Sequence, residues 1–257
     1  MGCIAISKKK EINIQTTTRG PPVKNNDAVK EYFLENCAQM PKRIKELFDY
    51  VLTSNCSELG KIDLKFLNLA GKRLRPVELV LPYFSHIVYL SLWKTAIGDI
   101  GCENLAPCFE KLINLNFLCL ADNRITAIGI VFISSKFVFL KKLEALELHV
   151  NSLQVMGATS LSKSIFHLAN LKKIVLDECE IPNEAIIGLL EALSKINTLE
   201  RMSLDYNQIL DSGASLLLQL IPNMPNLKRI ALQNAGISEE LQEKLKNDFP
   251  HLLFSIA

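Results

Sequence analysis

Between Leu115 and Leu232 one short apolar pattern returns at a constant interval, and no other feature of the chain restricts its fold as tightly. The pattern is L-x-x-(L/I/M)-x-L-x-x-(N/C/A)-x-(I/L). It reads LNFLCLADNRI from Leu115, LEALELHVNSL from Leu143, LKKIVLDECEI from Leu171, LERMSLDYNQI from Leu199 and LKRIALQNAGI from Leu227, each start 28 residues after the last. A fixed period of this length marks a solenoid of stacked units. Two looser copies precede these, LKFLNLAGKRL from Leu64 and IVYLSLWKTAI from Ile87, which makes seven strand units.

Within a unit the x-L-x-L-x segment alternates apolar and variable residues, the period-2 signal of a short strand with one buried face. The second half changes period. Counting from the last apolar residue of the motif, a small residue falls four places on (Gly129, Gly157, Ala185, Gly213). Large apolar residues follow at helical spacing, as in Ile133, Phe137 and Leu140. Each unit is therefore a strand, a turn and an amphipathic helix returning to the next strand. Strands joined through helices run parallel with right-handed crossovers. Neighbouring strands sit about 4.8 Å apart while packed helices need about 8–10 Å, so the stack bends with its strands inside. The Asn of the motif (Asn123, Asn151, Asn207) points toward the core, where its amide can donate to and accept from loop backbone; Cys179 occupies the same slot.

The motif, with its N/C slot and the small residue that opens each helix, resembles leucine-rich-repeat proteins of the ribonuclease-inhibitor class over about residues 60–257. The resemblance implies an α/β horseshoe, with parallel strands on the concave face and helices on the convex face. It also implies a non-catalytic protein–protein interaction module. The fold alone names no partner.

Composition agrees with a soluble globular chain: 49% of its 257 residues are hydrophobic and 22% charged. There is no run of about 18 uncharged apolar residues and no secretory signal. Seven cysteines lack disulfide or metal-ligand spacing, which points to a reducing, cytoplasmic setting. Residues 1–26 are polar and read as a flexible tail; Lys8, Lys9, Lys10, Arg19, Lys24 and Lys30 against Glu11 and Asp27 leave +4 on the first 30 residues of a chain of net charge +2. The opening Met-Gly-Cys followed by three lysines resembles the dually acylated N-terminus of membrane-tethered signalling proteins. It implies lipidation at Gly2 and Cys3 and attachment to the inner face of a membrane. The usual Ser or Thr five places after the start Met is Ile6 here, with Ser7 one place late. Residues 27–58 read as a helical cap whose stripe Ile44, Leu47, Phe48 and Val51 covers the first strands. Residues 59–257 are the repeat domain, and the final LLFSIA is a closing strand or edge cover.

No phosphate-binding loop, zincin helix, C-x-x-C or nucleophile elbow occurs, and the four His are scattered, so no catalytic residue, metal or cofactor is expected. The informative positions are the variable strand residues, which face the concave surface. Aromatics occupy the early repeats (Phe66, Tyr89, Trp93, Phe117). Acids and a histidine occupy the middle (Glu147, His149, Asp177), and Arg201, Asp205, Tyr206 and Arg229 follow. Aromatics and Arg dominate protein interfaces, so these residues are the candidate contacts of a protein partner held by a monomer. The net negative charge of the folded part argues against nucleic acid. Two alternatives stand beside this reading. One is a bacterial effector acting on a host protein in the host cytoplasm. The other is a GTPase-activating regulator resembling Ran GTPase activators, which use residues on the loops leaving the strands, where Arg73, Arg75 and Arg124 fall.

Overall fold

The computed structural model describes residues 26–256. Two helices, α1 (Asp27–Asn36) and α2 (Lys42–Leu52), lead into β1 (Lys61–Asp63). The chain then alternates α3 (Arg75–Val80), β2 (Tyr89–Ser91), α4 (Gly98–Phe109), β3 (Phe117–Cys119), α5 (Ala127–Ser134), β4 (Ala145–Glu147), α6 (Gln154–Ser164), β5 (Lys173–Val175), α7 (Asn183–Leu193), β6 (Arg201–Ser203), α8 (Leu210–Leu220), β7 (Arg229–Ala231), α9 (Glu239–Asp248) and β8 (Leu253–Ser255). The strands form one open, all-parallel sheet in chain order, β1 to β8. Eight strands rather than seven result because the C-terminal apolar run pairs with β7 as a last short strand.

Register corrects the first repeat. β1 is Lys61–Asp63, not a strand beginning at Leu64, and Lys61 stands opposite Tyr89 as Tyr89 stands opposite Phe117. The 28-residue period therefore holds from Leu59, which lies 28 before Ile87, and the first unit reads LGKIDLKFLNL. Both readings satisfy the apolar pattern because Leu64, Leu67 and Leu69 suit either. The choice is made by backbone bonds: Val88 N–H donates to Gly60 O at 2.9 Å and Leu64 N–H to Ser91 O at 2.9 Å.

The motif asparagines form the expected ladder. Asn151 Oδ1 accepts from the N–H groups of Asn123 (3.2 Å) and Ile125 (2.9 Å), while its Nδ2 donates to Leu120 O (3.0 Å) and Leu148 O (2.7 Å). Asn123 and Asn207 repeat the arrangement for their own neighbours. Cys179 contributes only sulfur contacts, to Leu148 O at 3.4 Å and Asp177 O at 3.5 Å.

The small residue that opens each helix marks a close approach between repeats. A Cβ on Gly129 would lie 2.5 Å from Asp99 Oδ1, and that carboxylate is already engaged with Gly129 N–H and Thr126 N–H. On Gly157 it would lie 3.2 Å from the Cα of Ala127 in the preceding helix.

The buried side chains of α1 and α2 belong to the same contiguous core as those of the repeats. Phe48 is fully buried, with the Phe33 ring 5.3 Å away and the Tyr32 ring 6.3 Å away. At the open edge of β1, the Arg43 guanidinium donates to Asp63 O (3.1 Å) and Lys65 O (3.0 Å), carbonyls that no further strand among the described residues meets. Helix α2 thus supplies from a side chain what a neighbouring strand would supply from its backbone.

Candidate functional site

The parallel register stacks variable residues into columns across the concave face. The first column runs Lys61, Tyr89, Phe117, Ala145, Lys173, Arg201, Arg229. Tyr89 and Phe117 on adjacent strands stack face to face, with centroids 4.4 Å apart and planes within 2°, and Lys61 Nζ sits 4.0 Å above the Tyr89 ring on its other side. Partial burial and then the charge of Asp63 push the Tyr89 phenol above its ordinary pKa, so it is a neutral hydrogen-bonding ring at physiological pH.

Phe66 does not belong to this column. With the corrected register it aligns with Lys94, Asp122, Val150, Glu178, Tyr206 and Asn234, and all seven share a left-handed backbone with φ between 51° and 64°. These residues lie just beyond the strands, where the chain turns away from the sheet. Phe66 nevertheless reaches the aromatic group. Its ring is 4.9 Å from that of Trp93, and Trp93 extends past the small Ala121 to the His149 ring at 6.5 Å. Phe66 is 56% exposed and Trp93 37%, and neither α1 nor α2 covers them. The four predicted aromatics and His149 thus form two neighbouring groups on the N-terminal half of the face. The Nδ1 of His149 is buried without a hydrogen-bond partner among the described residues.

In the middle of the face Glu147 Oε1 holds Lys173 Nζ at 2.6 Å. Beneath it, burial pushes the Cys119 thiol up to about 12, which leaves no nucleophilic thiolate. Asp177 and Asp205 have structural duties: Asp177 Oδ1 accepts from Asp205 N–H at 3.0 Å, and Asp205 Oδ1 from Gln233 N–H at 2.7 Å. Partial burial raises the Asp205 carboxyl above the usual range, against the pull of the Gln233 amide. Arg201 and Arg229 are exposed on adjacent strands, and Tyr206 is 53% exposed on the rim.

Lys61, Asp63 and Lys65 belong to this surface, and a first unit counted from Leu64, five residues late, leaves them out. Asp63 lies between them, 3.9 Å from Lys61 Nζ and 3.5 Å from Lys65 Nζ. The signal was present in the unbroken 28-residue count back from Ile87. The same shift moves two of the three loop arginines. Arg73 lies in the helical turn Gly71–Leu74, and Arg75 opens α3, where it pairs with Glu78 at 3.2 Å. Arg124 alone sits on a loop leaving a strand. Gly2 and Cys3 lie outside the described residues. Among the described residues no cluster of His, Cys, Asp or Glu is arranged to hold a metal, and no helix is long and apolar enough to cross a membrane.

One open parallel sheet, a helix returning behind each strand and an asparagine ladder at the bend define an α/β leucine-rich-repeat solenoid. Solved structures share this architecture. Internalin C2 from Listeria monocytogenes superposes with a TM-score of 0.52 at 16% identity, over 79% of this chain and 83% of that one. Actin-binding site 2 of leiomodin-1 does so with a TM-score of 0.52 at 12% identity, over 70% of this chain and 99% of that one. A leucine-rich-repeat protein of Leptospira interrogans aligns at 18% identity with a TM-score of 0.49, over 80% of this chain and 56% of that one. No family profile matches the chain, and no curated protein sequence does.

Proposed function

We propose that the protein is a non-catalytic interaction module of the ribonuclease-inhibitor class that grips a protein partner in its concave face. The observation that carries the reading is the pair of neighbouring aromatic groups on the concave face, exposed at Phe66 and Trp93 and half-buried at Tyr89 and Phe117. Aromatic side chains already held against one another lose little rotamer freedom on binding, so their desolvation is available as affinity. A fold shared with the actin-binding site of leiomodin-1 is consistent with protein recognition on such a scaffold. In this reading residues 27–58 are the terminal cap, and attachment to a membrane through Gly2, Cys3 and the lysines behind them would place the face near its partner. Mass spectrometry of the mature N-terminus from eukaryotic cells tests the attachment: an unmodified Gly2 removes it.

The concave reading is tested with a photo-crosslinking residue placed at Ala145, or at Glu191 on the helical side, in extracts of the native source. Discrete protein adducts are expected from position 145 and should vanish when Tyr89→Ala and Trp93→Ala are added. Adducts from position 191 alone, or from neither position, would sink it.

A further inference from the structure

The concave face is divided along its length, and the division specifies the chemistry of what it holds. Its N-terminal half is the aromatic group. Its C-terminal half carries Lys173, Arg201 and Arg229 in one column, and these three cations differ in how they are engaged. Lys173 is committed to Glu147 at 2.6 Å. Arg201 and Arg229 make no hydrogen bond or ion pair with any described residue, although the register sets them directly opposite each other on β6 and β7, about 4.8 Å apart at the backbone. The acids beside them offset their charge only at a distance: Asp205 feels Arg229 and Glu200 feels Arg201 without forming an ion pair, and Asp177 and Asp205 each spend an oxygen on a backbone N–H of the next repeat. Glu200, the other neighbour, is 2.8 Å from Lys228. Two adjacent guanidiniums whose donors no described residue accepts leave those forks open, and an external carboxylate can accept from both while easing their mutual repulsion.

We propose that this face takes an acidic peptide segment of a partner protein, with a bulky apolar side chain seated on the Tyr89–Phe117 pair and the neighbouring Trp93, and one or two carboxylates on Arg201 and Arg229. From β3 to β6 or β7 is three or four strand steps, roughly 14–19 Å. An extended chain crossing the strands covers that distance in about four to six residues, which sets the separation of anchor and acid. The proposal rests on the concave-face reading given above and adds to it the sign of the partner's charge and the spacing of its two anchors.

The test is selection of a randomised 12-residue peptide library, displayed on phage, against the folded protein. The expected result is enrichment of sequences with an aromatic or large aliphatic residue four to six places from Asp or Glu. The selected peptide should bind Arg201→Gln/Arg229→Gln at least about tenfold more weakly, the usual scale for losing charge-assisted contacts at a desolvated site. Arg201→Glu/Arg229→Glu should shift the selection toward Lys and Arg. Both arginines are exposed, so an unchanged melting temperature in the Gln variant separates lost contact from lost fold. Peptides that lose binding with Tyr89→Ala/Trp93→Ala yet show no acidic preference would overturn this inference and spare the concave-face reading. Peptides indifferent to both pairs of substitutions would overturn both. Failure to enrich any peptide, or preferential binding of a single-stranded oligonucleotide by the two arginines, would overturn the acidic-segment proposal.

Discussion

Asn151 satisfies four backbone groups at once, two N–H and two C=O, all inside the bend between one strand and the next helix. Leaving a buried polar group unmatched costs about 1–3 kcal/mol each, and some of the four can relax toward neighbours. Asn151→Ala is therefore expected to lower unfolding stability by about 4 kcal/mol in denaturant titration. Cys179→Ala, which removes only two weak sulfur contacts and a small buried volume, should cost about 1–2 kcal/mol. Asp205 makes the opposite point. Its carboxyl pKa is raised in the fold, so ionisation there opposes folding. That penalty is absent below the unfolded pKa of about 3.9 and complete once the pH exceeds the folded value. Asn at this position keeps an acceptor for the Gln233 amide and removes the charge. Asp205→Asn should melt at or above the wild-type temperature at pH 7, with the gap closing toward pH 3. A lower melting temperature at pH 7 would show instead that attraction to Arg229 outweighs burial.

Among the helices, two glycines that look alike in sequence occupy opposite situations. Gly129 admits no Cβ without displacing Asp99, the carboxylate that caps α5 through Thr126 and Gly129. Gly188, in the middle of α7, meets no described residue outside its own helical backbone within 4 Å of where a Cβ would stand. Gly129→Ala should lose about 2 kcal/mol, the scale of a disrupted cap together with overpacking. Gly188→Ala should gain about 0.5–1 kcal/mol from lower backbone entropy in the unfolded chain. Thermal melts of the two variants should move in opposite directions. Helical spacing correctly marked Ile133 and Phe137 as core, but α5 (AIGIVFIS) is apolar on every side, so spacing could not tell which of its residues face water. Packing against α4 and α6 buries Ile130 and leaves Ile128 55% and Val131 41% exposed.

The repeats and the two N-terminal helices share one core, so they should unfold together. Phe48→Ala, which removes a fully buried ring of α2, is expected to cost about 3–4 kcal/mol. Near- and far-ultraviolet circular dichroism should still report a single coincident transition. Two separated transitions would mean that the cap is an independent body. At this scale the recurring pattern was enough to give the repeat length, the parallel α/β solenoid, the inward face of β2 to β7 and the asparagine ladder. All of these follow from spacings within one unit and their recurrence. Only the folded chain shows that the first strand is Lys61–Asp63, that Phe66 reaches Trp93 from beyond the sheet, that Asp177 and Asp205 serve the backbone of the next repeat, and that Arg201 and Arg229 stand opposite each other with no ion pair to either among the described residues. Periodicity tells a side chain which way to point. Which polar atoms then meet is settled between repeats, by hydrogen bonds and ion pairs that join residues 26 to 31 positions apart.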